Sequence, residues 1–281
     1  MKAPKISRRT FLARAGLGGA ALTGYAGLFE PSWLEIGRHE IKTNHNGEPL
    51  KILHLADLHA SWCVSLSCLE QAIACGLQLK PDLICVTGDF ITTRFDDFDG
   101  YCRVLSCLAS AAPVFACLGN HDGGFWARSH RGHANTDWVR NLLQKSGIEL
   151  LHNRSTDLRI KDRQIRLTGL GDFYAWEMQP QRAFPQPTAA RPPYGIVLSH
   201  NPDTKEILAP YPWDLMLSGH THGGQFYLPI IGAPFAPVKD KRFIAGMYCW
   251  QNRRIHITKG VGNIFGLRFN CRPEISLLTL A

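Results

Sequence analysis

The sequence predicts an α+β fold, a four-layer α/β/β/α sandwich of two mixed sheets. Three observations carry this expectation. Short apolar runs alternate with helical stretches through the first half of the chain. The second half is again rich in strand-like segments. Polar residues with ligand chemistry stand at the ends of the apolar runs, where a site between strands would lie.

The core runs are Lys51–Ala56, Leu83–Thr87, Val114–Leu118, Ile196–Ser199 and Leu215–Ser218, all dominated by apolar residues. Such runs suit strands covered on both faces. Glu35–Ile41 reads as an edge strand before them. Helices are expected over Leu66–Lys80, ended by Pro81, and Tyr101–Ala111, ended before Pro113. A third spans Thr136–Lys145, with Gly147 just beyond it as a stop signal. The period then changes. Asp157–Lys161 and Gln164–Gly169 read as a hairpin around Asp162-Arg163. Pro202 opens a short helix, and Arg242–Cys249, Arg254–Thr258 and Glu274–Leu280 are strand-like. Two β-rich halves flanked by helices give the layered sandwich. The 281 residues suit one catalytic unit over residues 31–281, preceded by a leader over residues 1–30.

The polar residues at the strand ends form a series: Asp57-Leu58-His59, Gly88-Asp89, Gly119-Asn120-His121-Asp122, His200, and Gly219-His220-Thr221-His222-Gly223-Gly224-Gln225. Taken singly, Asp-x-His and Gly-Asp are ordinary turn sequences. Taken in order they supply seven oxygen or nitrogen ligands: Asp57, His59, Asp89, Asn120, His200, His220 and His222. No cysteine is among them. Carboxylate, amide oxygen and imidazole suit manganese, iron or zinc rather than a thiolate site. One carboxylate can bridge two ions about 3.5–4 Å apart. Asp89 is the bridging candidate, as the mid-series carboxylate with no metal-binding neighbour of its own. Two such ions activate water near neutral pH and offset charge growing on a phosphoryl group. The chemistry expected is hydrolysis of phosphate esters.

These blocks resemble the calcineurin-like metallophosphoesterase superfamily, over roughly residues 50–260. Within it the chain is similar to the bacterial YaeI/YkuE-type phosphodiesterases. The residues that carry this narrower likeness are Ser199-His200-Asn201-Pro202-Asp203, the Gly219–Gln225 block and Arg268-Phe269-Asn270-Cys271-Arg272-Pro273-Glu274. The resemblance implies the same sandwich. It implies one ion held by Asp57, His59, Asp89 and His222, and a second by Asp89, Asn120, His200 and His220. It implies His121 as general acid, oriented by Asp122. Manganese is the metal it favours. Its substrates are phosphodiesters or nucleotide lipids, including UDP-2,3-diacylglucosamine of lipid A synthesis. A catalytically inactive metal-binding scaffold is the competing reading. A scaffold has no use for a general acid placed directly after a ligand, and His121 is present.

Three loops are expected to shape substrate choice. Gly123–Asn135 offers Phe125, Trp126, Arg128 and Arg131 as substrate-binding residues. Phe173–Pro193 and the apolar Leu228–Val238 are the others. His54 reads as a satisfied core histidine, and His39, His45, His152 and His256 as surface or strand residues. His130 and His133 read as part of a solvated loop, with contact to substrate phosphate as the alternative. Asp82 and Asp214 read as strand-entry residues, while Asp172 ends a strand without an assigned role.

The leader carries Lys2, Lys5, Arg8 and Arg9, then an apolar, glycine-rich stretch. Ser7-Arg8-Arg9-Thr10-Phe11-Leu12 resembles a twin-arginine export signal. The uncharged Ala15–Phe29 is shorter than the roughly 20 residues a spanning helix needs. No small-x-small cleavage site follows, so the segment is expected to stay as an anchor. The protein is thus expected at a membrane surface: on its cytoplasmic side, or outside it if the export signal is used. Residues 1–30 hold five Lys/Arg and one Glu, hence +4 of the total +8. The remaining charge is too weak for a nucleic-acid partner. The nine cysteines include no Cys-x-x-Cys pair and are expected as mostly free, buried thiols.

Overall fold

The computed structural model describes residues 7–44, 47–184 and 193–281. Lys2, Lys5, His45 and residues 185–192 of the second specificity loop lie outside the described residues.

Two six-stranded sheets form the centre of the fold. The first runs β1 (Glu35–Ile41), β12 (Glu274–Leu280), β2 (Leu50–Leu55), β3 (Leu83–Thr87), β4 (Val114–Cys117) and β5 (Glu149–Leu150). From β2 to β5 it is parallel; β12 enters antiparallel to β2. The second runs β10 (Gly246–Trp250), β11 (Arg253–Ile257), β9 (Leu215–Ser218), β8 (Tyr194–Leu198), β7 (Arg163–Gly169) and β6 (Arg154–Ile160). Its four inner strands are parallel and both edges antiparallel.

Alternation along the strands assigns each side chain to a layer. Ile52, Leu83, Cys85 and Phe115 meet Leu167, Ile196, Leu198 and Leu215 between the sheets. Leu53, Leu55, Ile84 and Val86 face outward beneath α2 (Leu66–Leu77), α3 (Phe98–Ala109) and α5 (Asp137–Lys145). Val197, Met216, Ile255 and Ile257 face the other way, against Phe184, Leu208 and Trp213. The sandwich is the one expected. Its fourth layer is thin, built from the four-residue α6 (Pro180–Ala183) and the 3₁₀ turn Pro202–Lys205.

Local chemistry moves several boundaries. Asp97 caps α3 by accepting the Gly100 N–H at 2.8 Å, so the helix starts at Phe98 and not Tyr101. The first core helix, capped by Ser65, stops at Leu77, and Lys80 turns left-handed at φ 52°. The hairpin pairs Ile160 with Arg163, so its turn is Lys161-Asp162. A short helix, α4 (Gly124–Ser129), lies in a loop with no helical period. Strand β10 begins only at Gly246, because the Tyr248 hydroxyl takes up the Ile244 and Ala245 N–H groups.

The leader forms α1 (Arg8–Gly24), capped by Ser7, and continues through a single π-helical turn, Tyr25–Phe29. This end docks on the catalytic unit. The Ala26 carbonyl accepts the Arg268 N–H at 2.9 Å, and the buried Glu30 accepts the Asn270 N–H at 2.9 Å and that of Cys271. No helix among the described residues is long and apolar enough to cross a membrane. All nine cysteines are free thiols as expected, but only Cys85, Cys117 and Cys271 are buried, and the other six reach the surface in part or in full.

Candidate active site

Five strand ends meet at one crevice. Asp57 and His59 follow β2, Asp89 follows β3, and Asn120 and His121 follow β4. From the second sheet, His200 follows β8 and His220 and His222 follow β9. Ligand atoms of Asp57, His59 and His222 lie within 4.8 Å of one another, as do those of Asp89, His200 and His220. Asp89 also groups with His59 and His121. Its Oδ2 is 3.4 Å from His59 Nε2 and 3.1 Å from His200 Nε2, so it stands between the two clusters. His222 Nε2 is 3.5 Å from Asp57 Oδ1 and 3.1 Å from His59 Nε2; His220 Nδ1 is 3.3 Å from His200 Nε2.

The backbone is bent to make this possible. Asp57, His59, Asp89, His220 and His222 have φ of 52°, 49°, 56°, 69° and 50°. Each such non-glycine residue costs about 1–3 kcal/mol, and such strain clusters at functional sites. Two glycines clear the space. A Cβ on Gly119 would lie 2.2 Å from Asp89 Oδ1, and one on Gly219 would lie 2.3 Å from Asp57 Oδ2. The fully buried Arg268 braces the crevice from below, donating to the carbonyls of Lys259, Gly260, Gly262 and Cys271. That loop in turn donates the Gly262 N–H to the Asp57 carbonyl at 2.7 Å.

The donors fit a pair of divalent ions. Asn120 is 1% exposed, yet its Oδ1 has no hydrogen-bond partner. A buried amide oxygen without a partner is costly, and a cation satisfies it. Burial pushes the Asp57 carboxyl up to about 7, against the pull of His200 and the His220 N–H. Burial also opposes the charge of Asp89, but His200, His121 and His59 hold it well below the usual carboxylate range. Burial lowers His200, yet the charges of Asp89, Asp57 and Asp172 raise it well above an ordinary imidazole. The proton on His200 thus stands where a cation belongs, and metal uptake would displace it. His200 Nδ1–H donates to the Thr87 carbonyl at 2.7 Å, which aims Nε2 at Asp89.

His121 and Asp122 part company. His121 Nδ1 donates to the Thr92 carbonyl at 2.6 Å, leaving Nε2 free to exchange a proton. Asp122 was expected to orient His121 but does not touch its ring. Its carboxylate accepts the N–H groups of Asp89, Phe90 and Gly119 at 2.9, 2.7 and 2.8 Å. It ties the β3 and β4 loops together, and the orienting group is Thr92. Thr92 Oγ1 also lies 3.2 Å from His59 Nδ1. No motif marks Thr92; its role follows from where the loop after Asp89 folds back.

A cavity of about 480 Å³ opens over the crevice. Beyond the ligands its wall includes Trp62, Trp126, His130, Pro237, Ile264 and Phe265. Of the four residues expected to bind substrate, only Trp126 lines it. Phe125 and Arg128 are exposed and do not line it, because α4 presents one face to the crevice and the other to solvent; Arg131 is exposed in the turn beyond the helix. His130, read as a solvated loop residue, stacks on Trp126 at 3.9 Å and lines the cavity. Trp62 and Phe265 lie in segments without a ligand motif, so pattern gave no signal for them. His54 is the buried histidine expected, bonded to Thr87 Oγ1 at 2.8 Å. Asp82 and Asp214 accept the Lys51 and Gly195 N–H groups at the entrances to β2 and β8. Asp172 Oδ1 accepts the Ala175 N–H at 2.8 Å, and burial pushes this carboxyl up to about 6.

The calcineurin-like phosphoesterase family matches residues 50–224, a span that holds every ligand named above. The chain belongs to that family. This calcineurin-like phosphoesterase is 44% identical to phosphodiesterase YaeI of Escherichia coli, over 98% of this chain and 99% of that one. It is 32% identical to the metallophosphoesterase YkuE of Bacillus subtilis, over 98% of both. It is 28% identical to the UDP-2,3-diacylglucosamine pyrophosphatase LpxG of Chlamydia trachomatis, over 82% of this chain and 83% of that one. Like other calcineurin-like phosphoesterases, the protein is a metal-dependent phosphoester hydrolase whose clustered His and Asp residues suit a dinuclear divalent centre.

Proposed function

We propose that the protein is a phosphodiesterase or pyrophosphatase for a phosphoester with a large apolar substituent, such as a nucleotide lipid, met at a membrane surface. The observation that carries this reading is the apolar wall beside the metal crevice. Trp62 is 87% exposed and Phe265 68%, both at the cavity rim. A second hollow of about 420 Å³ continues past them along Phe226, Phe235 and Ile264. Aromatic side chains left in water around a polar centre fit a ligand that is polar at one end and apolar at the other. The likeness to the diacylglucosamine pyrophosphatase supports the same class.

Asp57, His59, Asp89 and His222 would hold one ion, and Asp89, Asn120, His200 and His220 the other, with manganese the metal proposed. When bound, the ions supply an activated water and offset charge on the phosphoryl oxygens. His121, fixed through Nδ1 by Thr92, protonates the leaving oxygen from Nε2. Trp126, edge-on to His121 at 4.5 Å, limits water at that nitrogen.

The test compares a nucleotide lipid with a small chromogenic diester. Trp62→Ala with Phe265→Ala is expected to raise KM for the lipid roughly 10–100-fold, the equivalent of about 1.5–3 kcal/mol of lost apolar contact. The small diester should be cleaved as before. An equal effect on both substrates removes the apolar-substituent reading and leaves a general phosphodiesterase.

The leader supports a place at the membrane. Leu12, Leu17 and Leu22 are exposed along α1, and Leu28 and Phe29 continue the apolar surface. We propose that α1 is a retained anchor, and that whether Arg8-Arg9 is read as an export signal decides which side of the membrane the domain meets. Arg8→Lys with Arg9→Lys keeps the charge and removes the pair. If the pair is an export signal, fractionation finds the double variant trapped inside the cell. Unchanged location would instead mark a simple positively flanked anchor, since that effect counts charge and not residue identity. Demonstrated export would shift the substrate from a cytoplasmic nucleotide lipid to an envelope phosphodiester.

A further inference from the structure

A second set of ligand-type side chains lies away from the catalytic crevice. His39 on β1, His256 on β11 and Glu274 at the start of β12 bring ligand atoms within 4.8 Å of one another. His39 and Glu274 line a cavity of about 720 Å³ that shares no lining residue with the catalytic one, and His256 lies buried behind them. His256 is fully buried, and its Nε2 has no hydrogen-bond partner. The His39 and His256 rings stand 4.8 Å apart. Glu274 reaches them through a gap in β1: a Cβ on Gly37 would lie 2.6 Å from Glu274 Oε1. Ser276 Oγ donates to that same oxygen at 2.5 Å and fixes the carboxylate.

We propose that His39, His256 and Glu274 form a third metal site, for a zinc-type divalent cation. Two imidazoles and one carboxylate, with an open position toward solvent, are a zinc donor set. The hydrogen bonds behind His256 agree with it. His256 Nδ1 and His54 Nδ1 are 2.8 Å apart, and His54 Nε2 is 2.8 Å from Thr87 Oγ1. With a cation on His256 Nε2, the Nδ1–H donates to His54 Nδ1, and His54 Nε2–H donates to Thr87. Every buried ring nitrogen then has a partner, and no ring carries charge. Without the cation, His256 Nε2 is a buried polar atom left unpaired.

Tetrahedral bonds of the usual zinc length set ligand atoms roughly 3.3 Å apart. His39, half-buried on the edge strand, supplies the small closing movement. The charged residues lining the cavity are Glu35, Glu274, Lys241, Arg242 and Lys259, and Arg272 pairs with Glu35 from outside it. Lys259 Nζ lies 3.7 Å from Glu274 Oε2 but is bonded to Glu35, which also meets Arg272 at 3.8 Å. Cation binding at Glu274 therefore leaves Lys259 with its other carboxylate.

The experiment counts zinc per chain by elemental analysis after equilibration with buffered zinc and desalting. Wild type is expected to hold one ion per chain more than His39→Ala, and one more than Glu274→Gln. Turnover of a small diester should be retained in both variants, which certifies the fold and the catalytic centre. In an Asp89→Asn background, which weakens the catalytic centre, one tightly held zinc should remain and should be lost on adding His39→Ala. An unchanged count in His39→Ala or Glu274→Gln, or no zinc retained by Asp89→Asn, overturns the proposal.

Discussion

Asp89→Asn is expected to reduce turnover to background and to weaken both catalytic ions together. The substitution keeps the shape of the side chain. Its amide oxygen can still accept the His121 N–H that Asp89 Oδ1 accepts at 2.9 Å. What is lost is the negative charge between His59 and His200, 3.4 and 3.1 Å away. A neutral amide does not bridge two cations as a carboxylate does, so neither position keeps its affinity. Loss of a ligand from one position alone, such as His222→Ala, should reduce one ion more than the other. The contrast is read by metal content and by activity recovered on adding manganese after chelation. Full turnover of metal-free protein, or selective loss of one ion in Asp89→Asn, would falsify the bridging role.

The strand ends were legible because three regularities coincide there. Apolar runs such as Leu83–Thr87 and Leu215–Ser218 are too short and too uniformly apolar for surface helices. A glycine follows each of these runs, and a residue with metal-ligand chemistry follows the glycine. That arrangement marks a turn at a sheet edge, where chemistry collects. The seven candidate ligands could therefore be named before their geometry was known. The hydrogen bonds around them could not. Asp122 looks like a partner for His121 in sequence because they are adjacent. In space, neighbours in a tight turn point apart, and the Asp122 carboxylate faces three backbone N–H groups instead.

The cavity wall was the least legible part. Trp126 was found because it follows the Asn120 block, but Arg128 lies two residues on, toward solvent from the same short helix. Trp62 and Phe265 line one cavity from segments about two hundred residues apart in the chain. No local period encodes such a meeting; only the closure of two sheets brings it about. The His39, His256 and Glu274 group was hidden for the same reason. Each residue alone reads as a strand residue, and the pairing of β1 with β12 sets His39 opposite Leu278, so only the Glu274 side chain, running past Gly37, brings its carboxylate near His39.

His121→Ala is expected to slow turnover by roughly 10²–10⁴, the range for losing a general acid, while metal content stays as in wild type. The geometry makes metal content the decisive control. His121 has a ligand atom within 4.8 Å of those of His59 and Asp89, so proximity alone would also allow it to be a ligand. Its hydrogen bond fits either role, because His200 makes the same bond to the Thr87 carbonyl, so metal content has to separate them. Nδ1–H is held by the Thr92 carbonyl, and the ring packs edge-on to His59 at 4.8 Å and Trp126 at 4.5 Å. The free Nε2 belongs to a ring that lines the substrate cavity. A proton donor there matters most when the departing oxygen is a poor leaving group. The loss should therefore shrink for a nitrophenyl ester, whose oxygen leaves without protonation, and reach its full size for an alkyl or nucleotide ester. A fall in bound metal together with an equal loss on both esters would make His121 a ligand and leave the leaving oxygen to be protonated by water.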